Sequence, residues 1–552
     1  MADEPNFDIG LVMAGAISAG AYTAGALDFL IEALETWQAA KDRGEDVPSH
    51  GARITAMAGA SAGGICGAIA AVALGHAFTH VSHRNLGRAT NPLFQSWVTS
   101  IDIAPLLEVG DLANDAPLFS LLNTSRLDEI VAGVLATTGA PIARPYIAQD
   151  LAVRLAVGNL RGVPYAFGLK GNTGAGHAMV LHGDDASFVV AERRPADLRP
   201  GWSWLKRPND ASDDAWRAFG TAALATGAFP LFLRARGLAR SNHAALDHRR
   251  FVLPGDGTSD PMTGPSKVVE ILAAWPAPAP DPSQPYKFLC VDGGVIDNEP
   301  LGLAHEVLAG GLLNRNPRAG ETATRALVMI DPFVEDTTLG PAELAPVLKL
   351  VAPLLSAWKM QCRFKPADLA LAHAPGVYSR FLLAPSRGAD HPAGAHPCAS
   401  GGLAGFLGFF HERFRAHDYL LGRRNCQRFL AHHFTLPKTN PLFAAWIGKS
   451  WAGAWEIAEP EGPHAPIIPL VGALKAEEPL PAWPAGAFDP EDMEDAVETR
   501  VEAILDAAIA DLSWVVRRYI GIGRFFGGES AVVDAVMDAL KGALAAQRLE
   551  RP

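Results

Sequence analysis

The stretch from Ile54 to Gly67 (Ile-Thr-Ala-Met-Ala-Gly-Ala-Ser-Ala-Gly-Gly-Ile-Cys-Gly) restricts the fold more than any other part of this chain. It carries no charge and is crowded with small residues. The uncharged span from Ile54 to Gly75 is long enough to cross a bilayer as a helix. A buried strand turning into a helix explains the same lack of charge, and the glycines clustered around Ser61 favour it. Gly59-Ala60-Ser61-Ala62-Gly63 matches G-x-S-x-G, in which a serine sits on a tight strand-to-helix turn with its hydroxyl exposed above the sheet. An apolar run, Ile54 to Ala58, precedes it, and a helix-competent run, Ile65 to Leu74, follows. In a chain with 54 glycines such a pentapeptide also arises by chance, so its weight rests on what accompanies it.

Upstream, Ile9 to Met13 reads as the first strand. It runs into Gly15-Ala16-Ile17-Ser18-Ala19-Gly20. A helical pattern follows, with Tyr22, Leu27, Leu30, Ile31, Leu34 and Trp37 at roughly 3.6-residue spacing. Lys41 to His50 is polar and loop-like. The first 76 residues therefore read β-loop-α-β-elbow-α, the start of an α/β domain with a parallel sheet. The loop at Gly15 to Gly20 lies where backbone N–H groups point outward at a helix N-terminus. Amides of Gly15 and Ala16, with that of Ala62 just after the serine, are candidate donors to an oxyanion. A nucleotide-binding reading fails, because Ala21 and Tyr22 stand where a P-loop needs Lys and Ser/Thr, and Ile17 breaks G-x-G-x-x-G. A structural tight turn is the competing reading.

The 552 residues suffice for a large core and more than one domain. A net charge of −12 argues against nonspecific nucleic-acid binding. The five cysteines, Cys66, Cys290, Cys362, Cys398 and Cys426, are widely spaced and form no C-x-x-C. They indicate neither a disulfide framework nor a zinc site. The N-terminus is acidic and lacks an apolar core, which argues against a secretory signal and leads us to expect a soluble, cytoplasmic protein.

Farther along, Arg126 to Thr138 and Ala215 to Ala228 read as helices, and Leu151 to Val157 as a strand. Met179 to His182 and Ser187 to Ala191 are weaker strand candidates. Leu198 to Asp214, with Trp202 and Trp204 among Pro, Gly and charges, reads as a surface excursion. Trp275 to Pro285 is too proline-rich for a regular element. Lys287 to Val291 reads as a buried strand ending at Asp292-Gly293-Gly294, followed by a helix at Leu301 to Leu313 and a strand at Ala326 to Ile330. Beyond about residue 340 strand signals become sparse, and segments near 344–373, 405–433, 491–521 and 530–548 look helical. Glu459 to Pro490 reads as a linker or surface-hugging loop. The domain division is 1–335 for the α/β part and 336–552 for a mainly helical extension.

Acyl transfer needs a base beside the nucleophile. His305, His411 and His417 are available, but none lies in a context that marks it as a base. Asp292 is the better partner, because it ends an apolar strand and Gly293-Gly294 lets the backbone turn away. Strand C-termini are where open α/β sheets place their active sites, and a shielded carboxylate is a stronger base than a solvated one. Asp297 and Glu299 are nearby alternatives, but read better as a turn residue and a helix N-terminal acid.

The loop at 15–20, Gly59-Ala60-Ser61-Ala62-Gly63 and Asp292-Gly293-Gly294, in that order, resemble the patatin-like phospholipase family. Gly20-Ala21-Tyr22-Thr23-Ala24-Gly25 and Ala225-Thr226-Gly227-Ala228-Phe229-Pro230 resemble further stretches of it, and the similarity spans roughly residues 7 to 310. The resemblance implies a three-layer α/β/α domain with a mainly parallel sheet. It also implies a Ser-Asp dyad, Ser61 as nucleophile and Asp292 as base, that cleaves lipid acyl esters through an acyl-serine without metal or cofactor. Its partners would be a lipid or acyl-ester substrate and, peripherally, a membrane. A binding or scaffold protein on the same fold, and an acyltransferase, are the alternatives. The family's loop usually reads Gly-Gly-Gly, any residue, Arg, Gly. Here Ala16 and Ile17 replace two glycines and Ala19 replaces the arginine. Ile17 resists a positive φ. Lastly, Gly405 to Phe434 interleaves Phe406, Phe409, Phe410, Phe414, Tyr419 and Phe429 with Arg413, Arg415, Arg423, Arg424 and Arg428. A helix pair packed on the catalytic domain, its arginines paired with acids, is preferred over a face for anionic lipid.

Overall fold

A computed structural model describes residues 5–86, 90–167, 177–240, 249–253, 266–278, 281, 283–333, 357, 360–363, 366–510 and 529–550. The start of the expected helix at 344–373 and the end of that at 491–521 lie outside the described residues.

The uncharged stretch is not one helix. It divides into strand β2 (Gly51–Gly59) and helix α2 (Ser61–Ala73). Strand β1 (Asn6–Met13) and helix α1 (Gly20–Asp42) precede them. α1 has the length and apolar character to cross a membrane, yet 89% of its most apolar window is buried inside the protein. Strands β3 (Ile147–Phe167), β4 (His177–Ala191) and β5 (Trp202–Lys206) follow. The main sheet runs Arg380–Leu383, Arg325–Ile330, β1, β2, β3, β4, β5. Its first five strands are parallel, β4 lies antiparallel to β3, and β5 lies parallel to β4.

Period-two alternation gives this sheet two apolar faces. On β1, Ile9, Leu11 and Met13 point into the large core that holds α1. Val12, with Ala58, Leu327 and Met329, points the other way, onto the helix Leu301–Leu308. The result is three layers, helix on sheet on helix, as expected from the sequence.

Two strands lie where sequence signals are faint. β5 occupies the supposed surface excursion, where Trp202 and Trp204 pair with Ser187 and Val189. Arg380–Leu383 extends the sheet edge from beyond residue 340, pairing with Leu327–Ile330. The aromatic and arginine-rich segment is packed, as preferred. Helix Glu412–His432 crosses α1 with the backbones almost touching. A Cβ on Gly25 would sit 1.9 Å from the Tyr419 carbonyl oxygen, and one on Gly422 would sit 2.1 Å from that of Tyr22. Only hydrogen fits at either position. Gly25→Ala is therefore expected to force the helices apart and to cost about 1–3 kcal/mol, read as a lowered midpoint of urea unfolding.

Four of the five arginines of that helix pair with acids, whereas Arg413 is exposed. Arg415 donates to Asp102 and to the carbonyls of Val98, Gly408 and Phe409. Arg423 pairs with Asp28, Glu32 and Glu478, and Arg424 and Arg428 pair with Glu477.

Candidate active site

One edge of β3 brings the site together. Its first half pairs with β2, parallel, as far as Gly59 opposite Leu155. Its second half pairs with strand Tyr286–Asp292, antiparallel, ending with Asp292 opposite Val157. The two strands thus approach each other end to end along the same edge, and their C-termini meet two β3 residues apart. Ser61 follows the first terminus and Asp292 closes the second. Ser61 Oγ donates to Asp292 Oδ2 at 2.6 Å, although 231 positions separate them in the chain. Both are buried, at 6% and 2% exposure.

Ser61 carries φ +52, a left-handed conformation that is costly for any residue with a Cβ. The turn is held by its surroundings. Ser61 N–H donates to Thr226 Oγ1 at 3.1 Å, and Thr226 Oγ1 donates to the Ala156 carbonyl of β3 at 2.6 Å. Gly63 lies so close to β1 that a Cβ there would meet the Met13 carbonyl oxygen at 2.2 Å. Asp292 is oriented by Gly294, whose N–H donates to Oδ1 at 2.6 Å, leaving Oδ2 for the serine. Gly293 passes against β3, where a Cβ would meet the Ala156 carbonyl oxygen at 2.1 Å.

The loop at 15–20 lies beside the serine, since a Cβ on Gly15 would approach Ser61 Cβ to 2.9 Å. Its amides are not equivalent. Gly15 N–H is engaged by the Asn298 carbonyl at 3.2 Å, and Asn298 Nδ2 returns a bond to the Gly15 carbonyl at 3.4 Å. Gly15 therefore anchors the loop to the turn after Asp292, which corrects its expected part as a donor to an oxyanion. Ala62 lies in the first turn of α2, where N–H groups have no intrahelical acceptor. Ile17 sits at φ +49 despite its branched Cβ. Its side chain packs with Ile101, Leu106, Phe406 and Phe409, which offsets the backbone cost.

Behind this loop lies a buried charge cluster that the sequence did not reveal. Glu299 stands just before helix Leu301–Leu308, as expected, but is buried. Its Oε1 accepts from Arg363 Nε at 3.0 Å and from Asn298 Nδ2 at 2.6 Å. Burial raises its carboxyl above the usual range even though Arg363 pulls it down. Arg363 also donates to Asp331 at 2.5 Å. Asp297 forms a turn bond to the Gly293 carbonyl, as expected.

The candidate histidines are elsewhere. His305 bonds Asn314 and Asn316, His411 caps helix Glu412–His432, and His417 is held between Asp418 and Arg387. Burial pushes the Cys66 thiol, one turn beyond the serine, well above its ordinary range, so it makes a poor nucleophile. Among the described residues no cluster of His, Cys, Asp or Glu could hold a metal ion.

Above Ser61 opens a cavity. Its walls are almost wholly apolar and include Ile65, Ile69, Trp97, Leu127 and Leu224. Phe406 and Phe409 complete it from the C-terminal part of the chain. Phe406 packs edge-on to Phe229 at 5.7 Å and against Phe232 at 5.2 Å.

Ser61 lines this apolar cavity and is in direct contact with the Asp292 carboxylate. The patatin-like phospholipase family model matches residues 11–305, and the chain belongs to that family. It is also 35% identical over 524 residues to an uncharacterized protein, y4iI, of Sinorhizobium fredii (strain NBRC 101917 / NGR234). That match covers 87% of this chain and 73% of the relative. Membership places the protein among lipid acyl hydrolases.

Proposed function

We propose that this protein is a serine acyl hydrolase of the phospholipase A type, with Ser61 as nucleophile and Asp292 as general base. The observation that carries this reading is the 2.6 Å bond from Ser61 Oγ to Asp292 Oδ2 beneath an apolar cavity. Ser61 Oγ attacks the ester carbonyl carbon while its proton passes to Asp292. The oxyanion is met by the N–H groups of Ala62 and Ala16, each such donor being worth about 3 kcal/mol of barrier. Collapse of the tetrahedral intermediate expels the alcohol, which takes the proton from Asp292 and leaves the acyl group on Ser61. Water, deprotonated by Asp292, attacks that acyl-serine, and collapse frees the fatty acid as Asp292 returns the proton to the departing Ser61 Oγ. Every proton moves between Asp292 and an oxygen, so the cycle needs neither histidine nor metal. The same reading puts the protein in the cytoplasm, drawing substrate from a membrane it meets peripherally.

The test is hydrolysis of short-chain p-nitrophenyl and phospholipid esters by the purified protein. Ser61→Ala is expected to fall to the uncatalysed background and to lose labelling by a fluorophosphonate probe. Equal rates in wild type and Ser61→Ala would remove the basis for the reading.

A further inference from the structure

Ile17 occupies a backbone conformation that suits glycine. Its φ is +49, and the turn it opens closes with the Ala19 N–H donating to the Ala16 carbonyl at 2.9 Å. A glycine makes such a turn without strain, whereas a side chain adds a steric cost. A strained residue persists only where its surroundings over-determine it. Here they do. Ser18, fully buried, donates from Oγ to the Gly405 carbonyl and accepts at Oγ from the Gly408 N–H at 3.0 Å. The loop is thus stitched to residues 405–408, and Phe406 of that segment lines the same cavity as Ile17. At its other end Asn298 holds Gly15.

What an isoleucine adds to this turn is its side chain. That side chain packs on the cluster containing Ile101, Leu106 and Phe409, and it lines the cavity together with Ser61 and Ala62. It stands at the reacting end. Gly15, two residues earlier, is the position whose Cβ would come within 2.9 Å of Ser61 Cβ. An isoleucine is stiff at χ1. Backed by that cluster, it does not swing aside.

We propose that Ile17 is a specificity-determining residue that sorts acyl groups by shape, admitting chains unbranched at the carbon next to the carbonyl and excluding chains branched there. The inference rests on the hydrolase reading and adds to it the residue that decides between isomeric acyl groups. In that reaction the ester carbonyl lies between Ser61 Oγ and the Ala16 N–H. Ile17 follows Ala16 directly, so its sec-butyl group flanks the carbon attached to the carbonyl. A straight chain presents only hydrogens there, whereas a branched one presents an alkyl arm that meets the isoleucine. Overfilling a packed apolar site is penalised, and a single methylene in such a pocket changes discrimination by about 10–200-fold.

The test uses the full chain carrying Ser61→Ala, so that binding is measured without turnover. Methyl octanoate and its isomer methyl dipropylacetate, branched next to the carbonyl, are titrated by calorimetry. The two contain the same atoms, so a difference between them reads shape. Methyl octanoate is expected to bind at least about tenfold more tightly. Adding Ile17→Gly is expected to bring the two within about threefold, through tighter binding of the branched ester. Glycine suits φ +49, so the fold survives this change, and circular dichroism checks that it does. Ile17→Ala, which removes less of the side chain, is expected to fall between. Equal affinity for the two esters before Ile17 is changed, binding of neither, or a preference that survives both substitutions overturns the proposal. So does a gap that closes because methyl octanoate binds more weakly, which would make Ile17 only a structural wall. Fluorophosphonate labelling of Ser61 in the otherwise wild-type chain reports separately on the hydrolase reading, so the two can fail independently.

Discussion

Replacing Asp292 with Asn is expected to lower kcat on any ester substrate by about 10²–10⁴-fold, the usual worth of a positioned base, while KM changes little. The substitution is nearly isosteric. Asn keeps an oxygen for the Gly294 N–H, so the turn after the strand survives. What changes is the atom facing Ser61 Oγ across 2.6 Å, where an acceptor becomes an NH2 donor that cannot take a proton. Fluorophosphonate labelling of Ser61 should slow in parallel, because it needs the same activated oxygen. Steady-state kinetics with circular dichroism as the folding control decides the matter. Wild-type kcat in the Asp292→Asn enzyme would mean that some other group takes the proton. No histidine lines the cavity among the described residues to serve in that way.

Arg423→Leu is expected to destabilise the protein by about 3–5 kcal/mol, the usual result of removing one partner from a buried ion pair. Arg423 Nη1 donates to Asp28 at 2.8 Å, and Nη2 to Glu32 at 2.6 Å and Glu478 at 2.9 Å. Asp28 is fully buried. Burial alone would raise its carboxyl, but His80 and Arg423 together hold it below the ordinary value. After the substitution His80 is the cation left in contact with it among the described residues. Burial pushes His80 down, yet its bonds to Asp28 and Glu35 prevail and lift it to about 9. A histidine whose folded value is raised stabilises fully below its unfolded value, about 6.5, and loses that contribution as pH climbs through about 9. The variant should thus be weakest in the alkaline range, where Asp28 loses both cations. Urea unfolding midpoints at about pH 6 and pH 9.5, on either side of that loss, measure this. A shift under about 1 kcal/mol at both would show that water or another group reaches Asp28.

What the sequence revealed follows from how local each signal is. The elbow at Ser61 and the turn at Asp292-Gly293-Gly294 are readable because strand, tight turn and helix occupy adjacent residues. So is the resistance of Ile17 to a positive φ, although the structure holds it there by packing. β5 escapes such a reading because Pro, Gly and charges surround Trp202 and Trp204, and pairing with β4 alone makes that segment a strand. Arg380–Leu383 has four residues, too few to show a period. The acids and arginines of the Asp28–Arg423 pair are visible, but their partnership spans 395 positions. The use of Gly15 N–H by Asn298 depends on a contact 283 residues away, and Thr226 serves Ser61 from 165 away. No spacing rule reaches that far. In sequence the N–H groups of the loop form one set, and only tertiary contacts divide them.

The crossing of α1 with helix Glu412–His432 has a consequence for the order of events on the ribosome. Ser61 and Asp292 are both synthesised before Phe406, Phe409 and Arg423, which wall the cavity and neutralise Asp28. At about 5–20 residues per second, about 7–30 seconds of translation separate Asp292 from the end of that helix. Throughout that interval Ser61 and Asp292 are in the chain but the cavity walls that Phe406 and Phe409 supply are not. The cavity is walled on this side only once Phe406 and Phe409 have emerged, and helix Glu412–His432, which follows them, seats against Gly25.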